Sequence, residues 1–180
     1  MDLVLIAAPI TGVIALIFAM YKAKYVEGAN PGNDRMREIA SYIEEGAMAF
    51  LKREYRAVAV FMAVFFVVLT FAIDWQTAVC FVIGGIFSLA AGFSGMKVAT
   101  KANVRTANAA KEEGMTKALN IAFSGGSVMG MSVVGLGLLG IGALYIIFEN
   151  ASIVTGFSLG ASSVASFARV GGGIYTKAAD

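Results

Sequence analysis

Residues 118–148 read ALNIAFSGGSVMGMSVVGLGLLGIGALYIIF, 31 positions without one charged side chain. About 20 apolar residues carry a helix across the hydrocarbon core of a bilayer. A run half as long again predicts a membrane helix that tilts or projects from one face. Four shorter charge-free runs accompany it: Leu3–Tyr21 (19 residues), Ala57–Ile73 (17), Trp75–Met96 (22) and Asn150–Ala168 (19). None alternates strictly as a barrel strand does, and a helix satisfies its backbone hydrogen bonds within one segment. The sequence predicts an all-α, polytopic transmembrane helical bundle. Its five membrane helices lie near 3–21, 57–73, 75–96, 118–148 and 150–177, with hydrophilic segments at 22–56 and 97–117.

Composition agrees. Of 180 residues, 58% are hydrophobic and 14% charged, and the mean hydropathy is +0.77. A soluble domain carries about 25% charged residues, so soluble and disordered classes are excluded. A net charge of +2 supplies no global basic field for nucleic acid. One cysteine, Cys80, and no histidine exclude an internal disulfide and the usual zinc sites.

The charges that remain report topology. Of 14 basic residues, seven fall in Lys22–Arg56 and five in Lys97–Lys117, whereas the opposite flanks carry Asp2, Asp74 and Glu149. By the positive-inside rule both basic segments face the cytoplasm, which puts the N-terminus outside and the end of the fifth helix inside. The first run has no basic residue before it and Lys22 and Lys24 after it, the reverse of a secretory signal, so it reads as a retained helix.

Within 22–56, Pro31, Gly32, Asn33 and Asp34 form a turn and N-cap. Met36, Ile39, Ala40, Ile43, Ala47, Phe50 and Leu51 then recur at helical spacing. No breaker precedes Ala57, so this amphipathic helix is expected to run on into the second membrane helix. It lifts Glu44, Glu45, Lys52, Arg53 and Glu54 to the inner surface as a solvated, salt-bridged face. In the fourth helix Gly135, Gly137 and Gly140 spell GxGxxG, but no strand precedes them and no acidic residue stands where a dinucleotide site needs one. Close helix packing is the better explanation, as it is for the GxxxG of Gly126 and Gly130.

The fifth helix carries Thr155, Ser158, Ser162, Ser166, Arg169, Gly173, Lys177 and Asp180 at steps of three or four. At about 100° per residue, Arg169 and Asp180 fall within roughly 20° of each other, and Lys177 roughly 80° from Arg169. An unbroken helix puts Arg169 about 16 Å deeper than Asp180. An arginine at that depth either faces protein or water, as on an ion or substrate pathway, or snorkels to the headgroups. The serines before it and the glycines Gly171 to Gly173 after it favour an approach by another backbone or a ligand. Lysine suits a phosphate oxygen and aspartate a phosphate-bridging magnesium ion. On residues alone three classes stay open: a secondary transporter or channel segment, a structural subunit, and an enzyme.

The stretch Gly156-Phe-Ser-Leu-Gly-Ala-Ser-Ser through Phe167-Ala-Arg-Val-Gly-Gly-Gly-Ile-Tyr-Thr-Lys-Ala-Ala-Asp180 resembles the signature of the membrane-bound, ion-translocating inorganic pyrophosphatases. Arg37–Tyr55, Asn103–Ala107 and Gly125–Gly130 agree with it. The resemblance implies a homodimeric pump in the bilayer, with the cytoplasmic membrane as the expected location. It hydrolyses magnesium pyrophosphate and moves protons or sodium ions outward, with potassium as a candidate activator. It implies pyrophosphate binding by Lys177, a magnesium ligand in Asp180, and an ion-transport coupling role for Arg169. Hydrolysis in such a pump is by activated water, without a covalent nucleophile. Family members are several times longer, so the 180 residues are expected to be an N-terminal part, inactive alone, with the remaining active-site carboxylates beyond Asp180.

Overall fold

The computed structural model describes the backbone of residues 3–179, with side chains from residue 6 onward except those of 175, 176, 178 and 179. Five α-helices occupy almost all of it: α1 Leu3–Gly28, α2 Asp34–Ala72, α3 Trp75–Glu112, α4 Met115–Phe148 and α5 Ala151–Ala179. All five are long and apolar enough to cross a membrane. At 1.5 Å per residue, α2 and α3, with 39 and 38 residues, run for about 57 Å. That is well beyond an apolar core of about 30 Å. Their excess length is the charged sequence that flanks the apolar runs. As the absence of a breaker predicts, the amphipathic 34–56 stretch and the apolar 57–72 stretch form one unbroken helix.

Local sequence sets each boundary. Asn33 caps α2, its side chain accepting from the Met36 N–H at 2.9 Å, and Gly32 takes the positive φ of 86° that the preceding turn requires. Asp74 caps α3, accepting from the Thr77 N–H at 2.7 Å and the Thr77 hydroxyl at 2.8 Å. These bonds hold its carboxyl below the usual carboxylate range. The α1–α2 turn is also fastened from outside. Arg105 on α3 donates from Nε to the Ala29 carbonyl at 3.1 Å and from Nη2 to Glu27 O at 3.4 Å, and Lys101 pairs with the Glu27 carboxylate at 2.6 Å. The carbonyls freed where α1 ends thus acquire donors.

The connecting turns are short, so consecutive helices reverse direction. α3 is the hub, with α4, α5 and α2 packed along it, and α1 packs along α4 on the far side. The buried positions are mostly small: Ala15, Ala19, Ala47, Ala78, Ala91, Ala102, Ala109 and Ala118. Many large apolar side chains point outward, Phe71 being 87% exposed, while a few such as Phe81, Ile121 and Phe157 are buried. This inversion suits a lipid surround, where small residues let helix backbones approach and bulky ones meet acyl chains.

The contacts are correspondingly close. Gly12 of α1 faces Gly135 of α4, where an added Cβ would stand 2.7 Å from the Gly135 carbonyl oxygen. On α5, Gly156 and Gly160 lie against the carbonyls of Thr77 and Phe81 on α3. Gly135 and Gly140 therefore pack as the sequence suggests. Gly126 and Gly130 do not, and neither does Gly137, for nothing approaches within 4 Å of a Cβ added there. In their place the crossings use Gly125, against Ala102, and Gly142, against Pro9. The helical rotation that turns Gly125 toward α3 leaves Gly126 outward.

Candidate functional site

α4 and α5 both lean on α3 but touch each other little, and α2 touches α5 little. The space so left is a cavity of about 770 Å³ between α2, α3, α4 and α5. Its walls are chiefly apolar, with Phe50, Phe87, Met129 and Val133 among them. Ser158, Ser162 and Arg169 of α5 enter it, so three members of the polar stripe converge there. Ser166, whose hydroxyl donates to the Ser162 carbonyl at 2.9 Å, and Thr155, which donates to Ser152 O at 2.5 Å, are instead occupied with their own helix. Ser88 of α3 adds a hydroxyl. Tyr55 of α2 closes one wall, its hydroxyl donating to the Leu89 carbonyl at 2.8 Å.

Three lining residues carry titratable groups: Arg169, Tyr55 and Glu54. Arg169 is exposed. Glu54 departs in part from the expectation of a solvated inner-surface charge. The residue is half-buried, and its Oε1 is covered by protein and meets no hydrogen-bond donor among the described residues. The reason is helical phase. Glu54 lies three residues after buried Leu51 and four before buried Val58, on the stripe that also buries Ala47 and Met62 against the bundle. Lys52 and Arg53 are exposed as expected, and Arg56 is exposed too. The signal was the spacing of Glu54 from those apolar positions, masked by the charges beside it.

Lys177 is exposed, eight residues and about 12 Å of helix beyond Arg169, and does not line the cavity. The fifth helix thus reaches unbroken from the cavity to the basic end of the bundle. Asp180 lies outside the described residues. Among the described residues no three acidic, cysteine or histidine side chains gather to hold a metal ion. The glycines of the motif differ among themselves: Gly171 faces Glu54 and Phe50, with an added Cβ 3.4 Å from Glu54 Oε1, whereas Gly172 has open space at that position.

A family model described as "Inorganic H+ pyrophosphatase" matches residues 13–180. A putative K(+)-stimulated pyrophosphate-energized sodium pump of Clostridium tetani is 60% identical over 181 residues, covering 100% of this chain. A K(+)-insensitive pyrophosphate-energized proton pump of Methanosarcina mazei is 47% identical, also over 100% of the chain. A K(+)-stimulated sodium pump of the same kind from Thermotoga maritima is 42% identical over 93% of the chain. The chain spans about 27%, 27% and 26% of these relatives' lengths. With five helices able to span a membrane and a match across almost its whole length, this chain is an integral membrane protein that belongs to the inorganic H+ pyrophosphatase family.

Proposed function

We propose that these residues form the N-terminal part, in a single membrane domain, of a pump that hydrolyses pyrophosphate and drives protons or sodium ions outward across the cytoplasmic membrane. The observation that carries the reading is α5. One continuous helix joins a chiefly apolar cavity, which Arg169 enters, to a solvent-facing lysine at the basic end, within a chain 60% identical to a protein named as a pyrophosphate-energized pump. Lys177 binds the pyrophosphate, its ammonium donating to phosphate oxygens. Arg169, in the cavity wall below, connects hydrolysis to ion movement. The basic segments 22–56 and 97–117 lie in the cytoplasm and the N-terminus outside, which the clustering of twelve basic residues supports.

Magnesium enters this reading through Asp180 alone. When bound it would neutralise phosphate charge, and the described residues gather no acidic set of their own to hold it. The working unit is a homodimer of the whole protein. Potassium stimulation belongs with sodium transport, since the relatives named as sodium pumps are also named K(+)-stimulated. Phosphate release from pyrophosphate by the purified whole protein, with and without Lys177→Ala, tests the reading. Release that the substitution weakens supports it, and equal rates for both proteins refute it.

A further inference from the structure

Lys22 is the first charge after the apolar run of α1, and Lys97 the first after that of α3. Each stands one turn beyond a phenylalanine, the Lys22 ammonium 5.6 Å from the Phe18 ring centroid and the Lys97 ammonium 6.0 Å from that of Phe93. α1 and α3 run parallel, with Lys101 bonded to Glu27 and Arg105 to Ala29, pairs 74 and 76 positions apart. By that register Lys22 and Lys97 are level. They mark the height at which both helices pass from acyl chains to headgroups, where aromatic rings and lysines gather.

At Lys22 a second helix joins. Its ammonium also lies 5.6 Å from the Tyr25 centroid, and Lys117 of α4 reaches the same ring at 5.7 Å. Each cation is drawn to the ring, yet the two repel each other. Snorkelling does not account for Lys117. Ala29 packs against the cluster of Ala118 and Ile121, which puts Lys117 about one turn farther from the apolar core than Tyr25. Its stem therefore turns back toward the membrane to reach the ring, the reverse of snorkelling. Both lysines are half-buried. No carboxylate among the described residues pairs with either, and Glu27 is taken by Lys101 at 2.6 Å. On the membrane side the cluster opens onto exposed apolar surface, since Ile14, Phe18 and Tyr21 share the face of α1 that carries Lys22 and Tyr25.

Two positive charges at headgroup height, an aromatic ring between them and an apolar strip leading into the bilayer suit one ligand chemistry. We propose that the α1–α4 cleft at Lys22, Tyr25 and Lys117 binds an anionic phospholipid. Its phosphodiester accepts from both ammonium groups, and an acyl chain lies along Phe18 and Ile14. Basic pockets between membrane helices hold such headgroups. A zwitterionic headgroup fits less well, because its own ammonium brings a third positive charge to the pair. The site depends on the bilayer and not on what the protein pumps.

Native mass spectrometry of the whole protein in neutral detergent, titrated with dioleoyl-phosphatidylglycerol, tests the proposal. Wild type retains this lipid in preference to dioleoyl-phosphatidylcholine. Lys22→Gln and Lys117→Gln each weaken retention of one phosphatidylglycerol per chain about tenfold, as expected for one charged hydrogen bond to phosphate. Lys22→Arg, which keeps the charge, retains it. Lys24→Gln, about 200° round α1 from Lys22, removes an equal charge and leaves binding unchanged. Inorganic phosphate and glycerol phosphate, anions without acyl chains, do not compete. Equal retention of the two lipids overturns the proposal, as it would if an acidic side chain from elsewhere in the whole protein neutralised the lysines. A loss in Lys24→Gln as large as in Lys22→Gln also overturns it, since overall charge would then suffice. Displacement of the lipid by inorganic phosphate at equal concentration assigns the lysines to a soluble anion and overturns the lipid assignment.

Discussion

Gly160 lies directly against the carbonyl oxygen of Phe81, so closely that a single added methyl group would collide with the α3 backbone. Backbone cannot swing aside as the end of a side chain can. Gly160→Ala is therefore expected to prise α5 from α3 and to cost about 1–3 kcal/mol, the usual penalty for overpacking. Gly130→Ala is the control, because open space surrounds that position. It should be neutral or slightly stabilising, since alanine favours a helix by up to about 1 kcal/mol over glycine. Thermal unfolding of the two variants in detergent, compared side by side, distinguishes them. Similar losses would show that the α3–α5 contact is not as described.

The clamp on the first turn yields a second expectation. Arg105 donates to Ala29 O and Glu27 O, and also to Lys101 O at 2.9 Å within its own helix. Removing a charged donor from backbone carbonyls costs about 1.5–3 kcal/mol. Arg105→Lys keeps the charge but loses the planar fork, so it should recover little of what Arg105→Ala loses. Hydrogen exchange of the 28–33 amides would register the loosened turn. Full protection in Arg105→Ala would mean that the clamp is dispensable.

Two caps make a third pair. Asn33→Ala should destabilise the start of α2 by about 1 kcal/mol. Asp74 adds a pH dependence. Its carboxyl is held below the ordinary range by the bonds from Thr77, so folding depresses its pKa. The cap's contribution is then complete above the unfolded-state value near about 3.9 and is lost as pH falls through the lower folded value. Wild type and Asp74→Asn should accordingly converge in stability in acid and differ at neutral pH. A gap that widens on acidification would reverse the assigned sign.

The five helices were legible in the sequence because each charge-free run is long enough to span a bilayer and its flanking charges mark where it leaves. The continuity of α2 was legible from the absence of any breaker between Leu51 and Ala57. Glycine contacts were legible only in part. Spacing identifies a small-residue face but cannot say which neighbour meets it, so Gly135 and Gly140 pack while Gly126 and Gly130 stand open. The candidate site divided along the same line. Arg169 and the serines declare themselves by a stripe on one helix. Glu54 becomes notable only when α2, α3 and α5 are placed together, because its neighbours Lys52, Arg53 and Arg56 make the segment read as a solvated surface. Its phase relative to Leu51 and Val58 carried the signal, and charge composition concealed it.

In the proposed pump, pyrophosphate held by Lys177 drives ions across the membrane. Sealed vesicles carrying the whole protein, given pyrophosphate and followed for proton or sodium uptake, test it most directly. Wild-type vesicles should accumulate the ion only when pyrophosphate is present. Lys177→Ala, lacking one charged donor to phosphate, should need about tenfold to a hundredfold more pyrophosphate for half-maximal uptake. Ion uptake that is independent of pyrophosphate, or an unchanged pyrophosphate requirement in Lys177→Ala, would contradict it.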